Sequence, residues 1–190
     1  MTASADIVNR AAQLVGGFNN QGPITGAPPT FDGSAIGIAA GTLYAGVVQT
    51  VGREHGWDFS RNTVKLVLTG NVAPFPWAFE YKYPTNGVQV RQVTPSTLTD
   101  PNNPLPTNWN VANDVVGSAP TKVILTNQAD ALAVFSNQPS ENLWDPLFTE
   151  AVVRLLASEL AMAVPARPDT AREELTAAQG FEQLGEQRDN

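Results

Sequence analysis

The chain contains no cysteine, one histidine, and fewer basic than acidic residues (11 Lys and Arg against 18 Asp and Glu). Without thiols there are no disulfides, no thiolate nucleophiles and no zinc sites that need sulfur. The single histidine, His55 in REHGWDF, falls at the end of an expected helix. A histidine there serves as a C-terminal cation or a turn residue more naturally than as a catalyst. The formal charge is −7, and the basic residues are scattered singly. Gripping phosphates takes a basic stripe, so tight, direct nucleic-acid binding is not expected. An acidic wall past which DNA slides without sticking fits the same balance. No run approaches 18 uninterrupted apolar residues, so no transmembrane helix is expected. The segment MTASADIVNRAAQLVGG lacks the basic start and long apolar core of a signal peptide, and the expectation is a protein made and used in a cytoplasm.

Catalytic signatures are equally scarce. Ser34 in DGSAIG lacks the neighbours of a nucleophile elbow, and no glycine cluster has the spacing or preceding strand of a phosphate-binding loop. The Glu173-Glu174 pair reads as surface charge on a solvated helix face. The expectation is therefore no enzyme, no cofactor and no metal.

What is present is a chain of 190 residues, 42% hydrophobic and 15% charged, enough for one medium domain or two small ones sharing a core. Apolar positions recur at helical spacing over residues 3 to 15 (Ile7, Ala11, Leu14 and Val8, Ala12, Val15) and stop at Gly16-Gly17. A loop rich in Gly and Pro follows, over residues 16–31. It reads either as a functional arm toward a neighbouring subunit or another protein, or as a solvent loop. Asp32 or Ser34 can cap a second helix running to about Glu54. That helix carries Gly37, Gly41 and Gly46 among alanines, a composition suited to close packing.

From 62 to 135 the period changes to two. Val64, Leu66 and Leu68 alternate in TVKLVLT, and TKVILT follows at 121–126. Asn86-Gly87 separates the aromatic segment from GVQVRQV and predicts a hairpin. The middle reads as an antiparallel sheet of four to six strands. Helical spacing returns near residue 129. Asp145-Pro146 predicts an N-cap with proline at the first helical position, opening a helix that stops at Val164-Pro165. The last segment, opened by Pro168 and Asp169, is charged and marginal as a helix on its own, so it needs a partner. The fold class is α+β: two N-terminal helices, a long C-terminal helix and a tail helix, with an antiparallel β domain inserted. The domain boundaries are 1–61 with 136–190 for the helical domain and 62–135 for the β domain.

Within PFPWAFEYKYP (74–84), Trp77, Phe79, Tyr81 and Tyr83 occupy alternate positions. On a strand all four share a face. They form either the interior of the β domain, with Glu80 and Lys82 toward water, or an exposed strip for stacking sugars or bases, which for nucleic acid would interleave basic residues.

Taken in order, WDF (57–59), P-x-W-x-F-x-Y-x-YP (76–84) running into Val88, Val90 and Arg91, VILTN (123–127) and LWDPLFTEAVVRLLASELA (143–161) form a recognisable set. Over roughly residues 32 to 185 the chain resembles the head-to-tail adaptor (connector) proteins of tailed bacteriophages, the family that includes tail tubular protein A. The resemblance implies a helical bundle carrying a β domain, and a structural role in the virion neck after assembly in the host cytoplasm. It implies a ring of copies, typically a dodecamer, beneath the portal protein. The ring extends the DNA channel, passes double-stranded DNA without specific binding, and docks the next neck or tail protein, with no membrane involved. It also implies that residues 168–190 reach the portal, through Arg172, Leu175, Phe181 and Leu184, and that Trp77, Phe79, Tyr81 and Tyr83 are β-domain core. The alternatives are a neck or tail-completion protein without portal contact and, from a different class, a carbohydrate-binding β module.

Overall fold

In the computed structural model, which describes residues 3–16, 22–96, 107–163 and 168–189, the chain divides into two compact units. One is Met1–Phe59 with Pro139–Asn190, the other Ser60–Gln138.

The helical unit holds α1 (Ser4–Leu14), α2 (Ala35–Glu54), α3 (Pro146–Ala163) and α4 (Pro168–Asp189). Each well-defined start has a chemical cause. The Ser34 hydroxyl accepts from the Gly37 N–H at 3.0 Å, and Asp32 Oδ1 accepts from the Ser34 N–H at 3.0 Å, so both candidate caps take part. Those bonds from Ser34 hold the Asp32 carboxyl below its ordinary range. Asp145 Oδ1 accepts from the Leu147 N–H at 2.8 Å, with Pro146 opening α3. The stop of α3 at Val164-Pro165 lies outside the described residues.

The core of this unit joins Ile7, Val8, Ala11 and Ala12 of α1 to Val47, Val48 and Val51 of α2 and to Val152, Leu156 and Leu160 of α3. Trp57, Phe59, Trp144 and Phe148 meet edge to face at one end, with centroids of Trp57 and Phe148 5.2 Å apart. His55 caps α2 and sets its ring edge-on to Trp57 at 4.8 Å.

The glycines of α2 have different uses. A Cβ on Gly41 would lie 1.9 Å from the Pro29 carbonyl oxygen, so only glycine lets the preceding loop close onto the helix, whereas Gly46 faces open space. The described part of that loop is fixed to the unit. Ile24 is buried, and its N–H and carbonyl are both bonded by the Asn9 side chain, at 2.7 and 2.8 Å. By length and composition alone α2 is apolar enough to cross a membrane, although Thr42, Gln49 and Thr50 interrupt its apolar run. Here one side of α2, from Gly37 to Val51, is buried in the core.

Among the described residues the β unit has six strands, but in two three-stranded antiparallel sheets rather than the one expected. They are β1 (Arg61–Lys65), β2 (Phe79–Lys82), β3 (Gly87–Pro95), β4 (Trp109–Val116), β5 (Ala119–Thr126) and β6 (Ala131–Asn137). The orders are β1-β6-β3 and β2-β5-β4. The expected hairpin between the aromatic segment and GVQVRQV does not form. The turn exists, with Asn86 at φ 63° and the Gly87 N–H on the Pro84 carbonyl at 3.1 Å. Beyond it, however, the strands enter different sheets. The Val90 N–H goes to the Tyr83 hydroxyl at 3.2 Å, a side chain standing where a paired strand would offer a carbonyl.

The tight hairpin is instead β4–β5, turned by Gly117-Ser118 with Gly117 at φ 69°. Helical spacing near 129 is also corrected. Residues 131–137 form β6, the central strand of its sheet, and Ala131, Ala133 and Phe135 are buried. Leu132 and Val134 between them are also half-buried, and a strand enclosed on both faces loses the alternation that would mark it. Of Val64, Leu66 and Leu68 only Leu66 is buried. After β1 the chain crosses to run beside β2, with the Lys82 N–H on the Val67 carbonyl at 2.8 Å and the Thr69 N–H on the Glu80 carbonyl at 3.1 Å.

Candidate functional site

The helix marked from the sequence as needing a partner finds one inside its own unit. The inward line of α4 is Glu174, Ala178, Phe181 and Gly185, which recurs at intervals of four, three and four and so forms one face. Ala178 is buried, Phe181 leans on the helical core, and Gly185 lies against the Trp57 ring. Glu174, expected as surface charge, is 8% exposed. Its Oε2 accepts from Arg154 Nη1 at 2.8 Å, while Arg154 Nε donates to Glu150 Oε1 at 3.0 Å. Arg10 pairs with the other Glu150 oxygen, so one chain of charges ties α1, α3 and α4. The hydrogen bond that Arg154 donates to Glu174 leads the effects that raise its guanidinium above the ordinary value, so this arginine stays charged.

At the far end, the Glu182 carboxyl hydrogen-bonds Glu54 of α2. Burial first, and then that neighbouring acid, push Glu182 up to about 8.

Of the four residues assigned to portal docking, Arg172, Leu175 and Leu184 are exposed, and Phe181 is turned inward. Helical geometry puts Leu175 and Leu184 on opposite margins of the exposed face. Arg172, Thr176, Gln179 and Gln183, all exposed, occupy the middle. Among the described residues the outward surface of α4 is a polar band around Arg172, with the exposed acids Glu173 and Glu186 toward its sides and Leu175 and Leu184 at its margins.

In the β unit the four rings do not share one environment. Tyr81 is buried at 3% exposure, in a cluster with Leu66, Val90, Val93, Ile124 and Phe135. Its hydroxyl donates to the Gln128 carbonyl at 3.1 Å. Phe79 and Tyr83 are partly buried against that cluster, and Lys122 Nζ stands 5.6 Å from the centroid of the Tyr83 ring. Trp77 precedes β2 and is half-buried outside the cluster, so alternation from a strand does not extend to it. Glu80, expected in water, is 2% exposed and accepts from the Thr69 hydroxyl at 2.7 Å. Lys82 does face solvent.

The feature missed from the sequence is the loop between β1 and β2. Val72 is 94% and Phe75 97% exposed at its tip. The stem is tied on both sides. The Asn71 N–H goes to the Thr69 hydroxyl at 3.2 Å, and the Asn71 amide goes to Asp114 Oδ2 at 2.9 Å and to the Val115 carbonyl at 3.0 Å. The Ala78 N–H goes to Asn127 Oδ1 at 2.8 Å. The sequence signal for it is the pair of prolines, Pro74 and Pro76, on either side of Phe75. Beside the root of this loop, Lys65, Leu66, Val67, Leu68, Tyr81 and Asp130 line an open cavity of about 490 Å³. Lys65 and Asp130, both in its lining, pair at 2.7 Å.

No protein-family model matches the chain, and no curated protein matches it.

Proposed function

We propose that the chain is a structural virion protein, a head-to-tail adaptor whose copies form a ring beneath a portal, extend the DNA channel and dock the next neck or tail component. The observation that carries this reading is the ordered motif set of the sequence lying on a helical bundle with a β insertion, the order of elements that the resemblance implies. The −7 charge supports a channel wall that does not retain DNA, because a basic wall would hold it by counterion release. The portal-facing surface in this reading is the outward band of α4, with Arg172 at its middle and Leu175 and Leu184 at its edges. Its anchor is the inward face of α4.

The test is gel filtration with light scattering on the full chain mixed with the portal ring of its virus. The chain should co-elute with the ring, and Arg172→Glu combined with Leu184→Glu should abolish co-elution. Both side chains are exposed, so the fold should survive, as circular dichroism would check. An unassociated parent chain would remove the portal contact and leave the neck or tail-completion protein as the reading. The carbohydrate module had one support, a row of exposed rings. With Tyr81 buried and Phe79 and Tyr83 leaning on the core, those rings offer no stacking platform.

A further inference from the structure

We infer that the loop tip carrying Val72 and Phe75 is a knob that enters, on a second copy of this chain, the cavity between Leu66, Leu68 and Tyr81. The inference rests on the ring reading and assigns a contact that would build it.

Three observations carry it. First, Phe75 and Val72 contribute almost nothing to the packing of their own chain, being 97% and 94% exposed. A large apolar pair held out in water is a marker of an interaction site. Second, the tip is held in place rather than left loose. Asn71 grips Asp114 and Val115 on one side, Asn127 holds Ala78 on the other, and the Trp77 N–H closes a turn on the Pro74 carbonyl at 2.9 Å. Pro74 and Pro76 each fix a backbone angle on either side of Phe75. A pre-ordered knob loses little entropy on docking.

Third, charge selects the partner. From Leu66 to Phe79 there is no ionisable side chain. DNA, or a membrane surface of anionic lipid, would need cations in this stretch. Two copies of a chain carrying −7 repel one another over most of their surface, and an uncharged projection is where they can approach. The same unit offers the receptor, an open cavity of about 490 Å³ whose lining includes the buried Leu66 and Tyr81 and the exposed Leu68. Its one ion pair, Lys65–Asp130, is satisfied internally and needs nothing from a ligand. Knob and cavity are different surfaces, so the contact is heterologous. Repeated, it yields a closed ring or an open filament, not an isolated two-fold dimer.

The absence of native cysteine makes the test direct. Full chains carrying Val72→Cys are mixed with full chains carrying Val67→Cys at a concentration where light scattering detects assembly, then treated with a flexible bis-maleimide. The mixture should give cross-linked dimers, and Val72→Cys alone should not. In the cysteine-free background, Phe75→Ser should weaken self-association about tenfold or more, the scale of losing one buried ring. Its melting temperature should match the parent, because nothing inside the chain rests on that ring. Cross-linking of Val72→Cys to itself would mean loop against loop and would overturn the contact. Full assembly by Phe75→Ser would overturn it while leaving the ring reading intact. A parent chain that assembles neither alone nor on the portal ring would overturn both.

Discussion

Gly185 of α4 lies directly on the indole of Trp57. A Cβ built on it would stand 2.6 Å from both Cη2 and Cζ3. Trp57 cannot retreat, since it is fully buried, its Nε1–H donates to the Val51 carbonyl at 3.0 Å, and Phe148 meets it edge-on. The missing methyl at 185 is what allows α4 to seat.

Two glycine substitutions in one helix should therefore have opposite signs. Gly185→Ala adds a methyl where there is no room and should cost about 1–3 kcal/mol. Gly180, five residues earlier on the same helix, has open space at its Cβ position. Gly180→Ala should stabilise by roughly 0.5–1 kcal/mol through the lower entropy of the unfolded chain. Thermal unfolding of the two variants checks this. A rise in melting temperature for both would show that α4 does not rest on Trp57.

The charge chain through Arg154 makes a second prediction. Arg154→Met removes the donor from Glu174, which is nearly buried, and also the donor from Glu150. The cost should be about 2–3 kcal/mol, the range for losing a hydrogen bond to a charged group and leaving the acceptor covered. Glu174→Gln keeps an acceptor oxygen and should cost less. Hydrogen exchange should locate the loss in α4, because α1 keeps its apolar contacts to α3 through Ile7 and Val8. Negligible effects of both variants would reduce the pair to a surface contact of little worth.

Glu182 sets a pH dependence. Folding raises this carboxyl from 4.5 to about 8, so between those values the folded chain binds more protons than the unfolded one. Stability contributed by this group is then highest below about pH 4.5. It falls as pH rises through the window and is level above about 8. The melting temperature should decline from pH 5 to 8. Glu182→Gln, which stays neutral beside Glu54, should flatten that decline. An unchanged slope in the variant would assign the pH dependence to other groups.

These residues also mark how far the sequence was legible. Helix starts were readable because a cap is local: Ser34 and Asp145-Pro146 act on amides two or three residues away. The change from helical period to period two marked the β insertion for the same reason. Strand pairing is not local. Asn86-Gly87 made its turn, but β3 pairs with β6, from Gly87 opposite Asn137 to Pro95 opposite Ala131, and β2 with β5. Nothing within the turn distinguishes those partners from each other. Glu80 was assigned to water by alternation, yet it is buried because Thr69, eleven residues earlier, supplies a hydroxyl. Glu174 and Phe181 were assigned outward because the tail helix was read without its partner face on Trp57 and Arg154. Phe75 was hidden by the convention that rings belong inside.

The last prediction concerns the stem of that loop. Glu80 is 2% exposed, and the Thr69 hydroxyl donates to it while accepting the Asn71 N–H. Thr69→Val keeps the shape and removes the hydroxyl, so one carboxylate oxygen and one amide lose their partner together. The cost should be about 1–3 kcal/mol. Glu80→Gln retains an oxygen that can accept from Thr69 and should cost less, while Glu80→Ala should resemble Thr69→Val. In the double variant Thr69→Val with Glu80→Ala the losses should fall short of additive, because each single change already breaks the shared bond. Denaturant unfolding measures all four, and strict additivity would show that Glu80 and Thr69 act independently. Exchange of the Asn71 amide in Thr69→Val should rise above the parent. That would tie the buried acid to the order of the loop carrying Val72 and Phe75.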